Sequence, residues 1–173
     1  MNTFELQIWD DERNLCTFYT VLCDGEEENV TDKFFEKFEN DVEFEDAVQD
    51  LLAFVLIAIG DDNGAVDELF NRYENEVTGL PSHGRVKLGE FVYHYPGFPL
   101  RLYALKINKE IVVLFGGGIK DGTTNQNSSL KMQWKEACLF AKRITEALGS
   151  EEILIDEVHR RLTNHLGGNE IIL

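Results

Sequence analysis

The rhythm of apolar and polar positions changes several times along the 173 residues. Phe4, Leu6 and Ile8 alternate with Glu5, Gln7 and Trp9, the period of a half-buried strand. A polar stretch, Asp10–Asn14, separates it from Leu15–Cys23, which is rich in β-branched and aromatic residues, and the pair predicts a β-hairpin. After the acidic loop Asp24–Asn29 the rhythm turns helical. Phe34, Phe35 and Phe38 follow Thr31, a capping residue type, and Asn40 with Glu43 three residues on suggests a second cap. Val48, Leu51, Leu52, Val55 and Ile59 then form one apolar stripe that Gly60–Gly64 ends. Val66, Leu69, Phe70 and Tyr73 predict a third helix, with Asp67 and Glu68 at the positive end of its dipole.

Past Gly79 the alternation returns. Val86 and Leu88 alternate with Arg85 and Lys87, and Phe91, Tyr93 and Tyr95 continue in the opposite parity, which predicts a bulge at Gly89. Leu100, Leu102 and Ala104 alternate with Arg101, Tyr103 and Leu105. Asn108-Lys109 suits a two-residue turn, and Ile111–Phe115 is the continuous apolar run of a central strand. Gly116–Gly118 breaks that run through a bulge or bend, and without a Gly-Lys-Ser/Thr ending it is not a phosphate loop. The polar loop Asp121–Asn127 leads to a helix capped at Ser128 or Ser129. Leu130, Trp134, Ala137, Ala141, Ile144 and Leu148 line one face of it, and Gly149 closes it. Ile155, Val158, Leu162 and Leu166 predict a short last helix. Runs of strands and runs of helices segregate, so the fold class is α+β with a mainly antiparallel, twisted sheet.

Length and an apolar share of 43% imply a single domain over 1–173. It has three parts: an acidic hairpin with helices (1–79), a sheet and helix (80–148), and a tail (149–173). The longest apolar run, Leu51–Ile59, is too short to cross a bilayer, and the first ten residues lack a basic and apolar leader, so a cytoplasmic protein without a membrane partner is expected. Cys16, Cys23 and Cys138, an odd number without metal-type spacing, are expected as reduced thiols. His159 and His165 are six apart, on different helix faces, and no metal or cofactor site is expected.

The net charge of −16 argues against nucleic acid as a partner until it is resolved along the chain. Residues 1–79 hold 22 acids against 4 bases, or −18; residues 80–143 hold 10 bases against 4 acids, or +6; residues 144–173 hold 2 bases against 6 acids, or −4. An acidic first half therefore precedes a basic segment.

That segment carries Leu100-Arg101-Leu102-Tyr103, the apolar Ile111–Phe115, then Gly118-Ile119-Lys120, and Glu136–Arg143 on a helix. With these, residues 60–148 resemble the toxin side of the RelE/ParE superfamily, and above all its HigB-like branch. Lys120-Asp121-Gly122 stands where that family often has two lysines and a threonine, and the N-terminal hairpin and C-terminal tail are additions to its core. The resemblance implies helices packed on one face of the sheet and a basic, RNA-holding cleft on the other. It also implies a toxin-like component of a bacterial toxin–antitoxin pair, with an antitoxin protein as partner; many members of that family are mRNA endonucleases that act at the ribosome, and others inhibit gyrase.

Cleavage of RNA without a metal needs a base for the ribose 2′-OH, cations for the phosphorane and an acid for the leaving oxygen. Arg101 is the first candidate for the phosphate, since a guanidinium matches phosphate oxygens bidentately, and Lys120 is the second. Tyr103 and His94 are candidate proton carriers or base-stacking groups. By parity Arg85, Lys87, Arg101 and Tyr103 share one open face, a candidate RNA surface. His83, in a Ser-His-Gly turn, reads as solvated. Two other functions compete. One is a non-catalytic binding protein on the same scaffold, whose acidic half covers the Arg101 face or docks a basic partner. The other is an acidic nucleic-acid mimic using Glu36, Glu39, Glu43 and Asp46.

Overall fold

The computed structural model describes residues 2–122 and 124–173, the side chain of Asn125 excepted. The first two segments form the expected hairpin, β1 (Phe4–Asp10) and β2 (Thr17–Cys23). Helix α1 (Val30–Glu39) follows. Its cap is Asn29, not Thr31: the Asn29 side chain accepts the Asp32 amide at 2.8 Å. Thr31 is instead turned inward, where its hydroxyl lies 2.6 Å from that of Thr20 and 3.1 Å from the carbonyls of Leu114 and Phe115. Asn40 ends α1, and α2 (Glu45–Ala53) starts without a side-chain cap. From Phe54 to Asn63 the helix widens to π geometry, which keeps Phe54, Val55, Ala58 and Ile59 on the buried side before Gly64 stops it at φ +76°.

The predicted third helix is only one 3₁₀ turn, Asp67–Leu69, followed by two short strands, β3 (Tyr73–Glu74) and β4 (Val77–Leu80). Its apolar spacing is real, yet Asn71 and Asn75 at its end favour turns, and Asn75 takes φ +64°. The parity change at Gly89 is a tight turn and no bulge: β5 (Val86–Leu88) and β6 (Phe91–Tyr93) pair as a separate hairpin. Strands β7 (Leu100–Asn108) and β8 (Ile111–Ile119) pair around a Lys109-Glu110 turn, one residue later than predicted. β8 runs on through the three glycines. The expected break in the strand is thus corrected; of the two expected causes, bulge or bend, it is a bulge, because Leu102 pairs with Gly117 but Ala104 with Leu114. Helix α3 (Thr124–Gly149) begins inside the predicted polar loop, of which Thr123 lies outside the described residues. The predicted last helix is a hairpin, β9 (Ile153–Asp156) and β10 (Arg161–Asn164), and β11 (Ile171–Ile172) ends the chain.

The main sheet has seven strands in the order β11-β1-β2-β8-β7-β4-β3, all neighbours antiparallel except β2 and β8. The α+β class with a mainly antiparallel sheet is therefore as read. Helices on one face only is corrected: the sheet is covered on both. α1, α2 and the π turn pack on the face carrying Phe18, Leu102 and Leu114. α3 and the β9–β10 hairpin pack on the face carrying Tyr19, Tyr103 and Phe115. Strands β2, β7 and β8 are apolar in both parities, so either face left bare would expose a core-sized patch. The tail is tied down as well. The Tyr19 hydroxyl accepts the Leu162 amide at 2.8 Å, and Arg161 pairs with Asp11 at 2.7 Å.

All three cysteines are free thiols. Cys16 is fully buried, and burial pushes its thiol up from the usual 9.0 to about 12. The unfolded chain ionises first, so this contribution to stability is whole below pH 9 and is lost as pH rises toward 12. Urea unfolding across that range should show stability falling, with about 1.4 kcal/mol per pH unit from this thiol. Cys16→Ala should remove that share of the slope; an unchanged slope would show that Cys16 does not carry it.

Candidate functional site

Three of the residues singled out in the sequence, Arg101, Lys120 and His94, line one cleft of about 360 Å³. Arg72, which the sequence did not single out, and His83, read there only as a solvated turn residue, line it with them. Arg101 comes from β7, Lys120 and Asp121 from the end of β8, and His94 to Phe98 from the chain between β6 and β7. The Lys120 amide bonds the Pro99 carbonyl at 2.7 Å, which holds the entry to β7 beside the exit from β8. On the opposite wall Asn71 clamps His83 in both directions, donating to its carbonyl at 2.8 Å and accepting its amide at 2.7 Å. Arg72 donates to the carbonyls of Pro81 and Ser82, so the same loop is pinned twice.

Gly79 of β4 makes this possible. A Cβ there would stand 2.9 Å from both the Arg72 Cδ and the Glu74 Oε2, and 3.2 Å from the Arg101 Cδ. Without one, the three side chains lie across the strand. Arg101 is 6% exposed, yet its one hydrogen bond among the described residues goes to the carbonyl of Leu100 at 3.0 Å. No carboxylate comes within ion-pair distance of it or of Arg72 among the described residues. Burial, and then the neighbouring Arg72 guanidinium, press the Arg101 value down, with Glu74 opposing more weakly. An arginine stays protonated under such pressure, so the cleft holds two guanidiniums side by side without full neutralisation. An anion is what relieves that arrangement. Lys120 adds a cation that is only loosely held, since its contact with Asp121 at 3.2 Å is exposed and worth little.

The remaining sequence candidates divide. Tyr103 is 2% exposed beneath α3, and burial pushes its phenol far up. It is a core residue, and its role as proton carrier or stacking group is corrected. Ala137 and Ala141 cause this, because their small side chains let α3 settle onto the Tyr103 face. Arg85 and Lys87 do not share a sheet face with Arg101, because β5–β6 stands outside the main sheet. Within that hairpin Lys87 opposes Val92, so by alternation Arg85 and His94 flank the same outward face. All four are exposed, and His94 also lines the cleft. A basic surface thus runs from the hairpin into the Arg101 cleft. His83 is exposed in a bend, as its Ser-His-Gly setting implied, but nothing in the pattern placed it at the cleft; Arg72 fell in a predicted helix, and the β3–β4 fold brings it in instead.

The acidic half does not cover this cleft. α1 and α2 pack on the opposite sheet face, which rules out the self-covering arrangement; Glu74 and Asp121 are the acids beside the arginines. Glu36, Glu39, Glu43 and Asp46 are split among α1, the connecting turn and α2, so they form no single helical row. Among the described residues no cluster of three or more His, Cys, Asp or Glu is arranged to hold a metal, and no helix is long and apolar enough to cross a membrane. Compared with known proteins, the chain matches no family model, no curated protein and no solved structure.

Proposed function

We propose that the chain acts on RNA at the Arg101 cleft, as the toxin-like component of a toxin–antitoxin pair. The observation that carries this is the gathering of two arginines, a lysine and two imidazoles in one cleft of a protein with net charge −16. Arg72, Arg101 and Lys120 would hold the scissile phosphate and stabilise the charge that builds on it. His83 and His94 are the two groups able to take the 2′-OH proton and return one to the leaving 5′-oxygen. In that reaction the 2′-oxygen bonds to phosphorus as the P–O5′ bond breaks, leaving a 2′,3′-cyclic phosphate and a free 5′-hydroxyl. The outward face of β5–β6, with Arg85 and Lys87, gives the flanking strand a path.

Induced expression in a bacterium should arrest growth, and labelled RNA should acquire cyclic-phosphate ends. His83→Ala and His94→Ala should each slow cleavage by roughly 10²–10⁴ while RNA is still bound. If wild-type protein leaves both growth and RNA intact, the catalytic function is wrong. A second function is favoured by the buried, geometrically fixed state of Arg101: non-catalytic capture of RNA in the same cleft. It predicts the binding without the cleavage, and histidine variants that behave like wild type.

A further inference from the structure

The carboxyl ends of β2 and β8 frame a different cavity. The two strands are parallel neighbours, yet β2 feeds α1 on one face of the sheet and β8 feeds α3 on the other. In open sheets, ligands bind in the crevice beyond the carboxyl ends of two such strands, where the connections diverge and leave a gap. Here the strand pairing stops at Tyr19 with Val113. The Thr31 hydroxyl lies 3.1 Å from the next two carbonyls, those of Leu114 and Phe115, and has one proton to share between them. Past them Gly116 and Gly117 border a cavity of about 270 Å³ between α1 and α3. A Cβ on Gly116 would come 2.5 Å from the Gln133 Oε1, so the glycine is what lets that amide reach the floor.

The two walls differ in charge. Lys33 and Lys37 of α1, with Glu26 just before that helix, line one side, and Gln133 and Glu136 of α3 line the other. Lys33 is paired with Glu26 at 2.9 Å. Lys37 and Glu136 are in no ion pair among the described residues. A purely anionic ligand would face Glu136 and a purely cationic one the lysines, whereas a zwitterion answers both walls. The cavity lies just under the roughly 300 Å³ at which drug-sized pockets begin, which suits a smaller metabolite. We propose that this crevice binds a free α-amino acid, with its carboxylate toward Lys37 and its ammonium toward Glu136.

The test titrates the whole protein with a panel of free L-amino acids by calorimetry and thermal shift, up to about 10 mM, ten times the ~1 mM constant of a weak site. Each amino acid is matched with its analogue lacking the amine and its analogue lacking the carboxylate. Saturable binding of at least one amino acid, lost in both analogues, is the expected result. Lys37→Met and Glu136→Gln change exposed residues and should each weaken it about tenfold, the worth of one charged hydrogen bond. Arg101→Met should leave it unchanged, because that residue belongs to the RNA cleft. The proposal is overturned if no amino acid binds, if either analogue binds as well, if both wall variants behave as wild type, or if Arg101→Met abolishes binding. Failure of RNA cleavage does not touch it.

Discussion

Gly117→Ala should destabilise the protein by about 3 kcal/mol or more, the upper range for overpacking a fixed core. A Cβ at Gly117 would collide with the Arg101 carbonyl oxygen and would lie 2.8 Å from its carbon and 3.0 Å from the Leu102 Cα. All three are backbone atoms of the partner strand, so no side chain can swing aside. The contact arises from the bulge, where Phe115 and Gly116 together oppose Tyr103 and draw Gly117 close against β7. Gly118→Ala is the control, since the nearest atoms to its Cβ would belong to Leu130, at 3.5 Å and beyond, an ordinary van der Waals contact. Urea midpoints should separate the two variants clearly. Equal midpoints would show that the bulge relaxes and that the close approach is not a constraint.

Arg101→Met should lose RNA binding by roughly 10- to 100-fold, from charged hydrogen bonds worth about 1.5–3 kcal/mol. The salt dependence of binding should also flatten by about one phosphate contact. The same variant should keep or raise the melting temperature. Arg101 is buried next to Arg72 without an ion-pair partner, so methionine removes repulsion and desolvation while retaining most of the volume. Function held at a cost in stability is the signature of a binding group. A purely structural arginine would show the reverse, with stability lost and binding following it down. Arg85→Ala and Lys87→Ala, on the exposed hairpin, should weaken binding less and leave stability within about 0.5 kcal/mol.

The strands that one rhythm defines were legible in the sequence. β1 and β7 follow from alternation, β2 from its β-branched and aromatic residues, β8 from its continuous apolar run and the α3 stripe from helical spacing, because each is long and much of each is buried. The irregularity at the triple glycine was legible because three residues without side chains interrupt an apolar run, although the strand continues through it. What misled is equally physical. The spacing 66, 69, 70, 73 fits a helix, but Leu69 and Phe70 are buried as a 3₁₀ turn that hands the chain to β3. In the tail, Ile155, Val158 and Leu166 are exposed and Leu162 alone is buried, so the apparent stripe is no core face. At the site, Arg101, Lys120 and His94 could be named because they flank recognisable strands. Arg72 and His83 could not, since a two-residue strand such as β3 leaves no periodicity. Tyr103 failed as a site residue because parity tells which face a residue takes but not whether a helix covers it.

The single parallel pairing also sets a timetable. β2 pairs with β1 at once, but gains its second neighbour only when Thr17 meets Ile111, 94 residues further along the chain. At translation rates of about 5–20 residues per second, β2 waits roughly 5–20 s for that strand to be made. During this interval Phe34, Phe35 and Phe38 of α1 have only part of the sheet to cover them. Such long-range closure makes folding slow, and it leaves the nascent first half dependent on its dense negative charge to stay apart from its neighbours on the polysome.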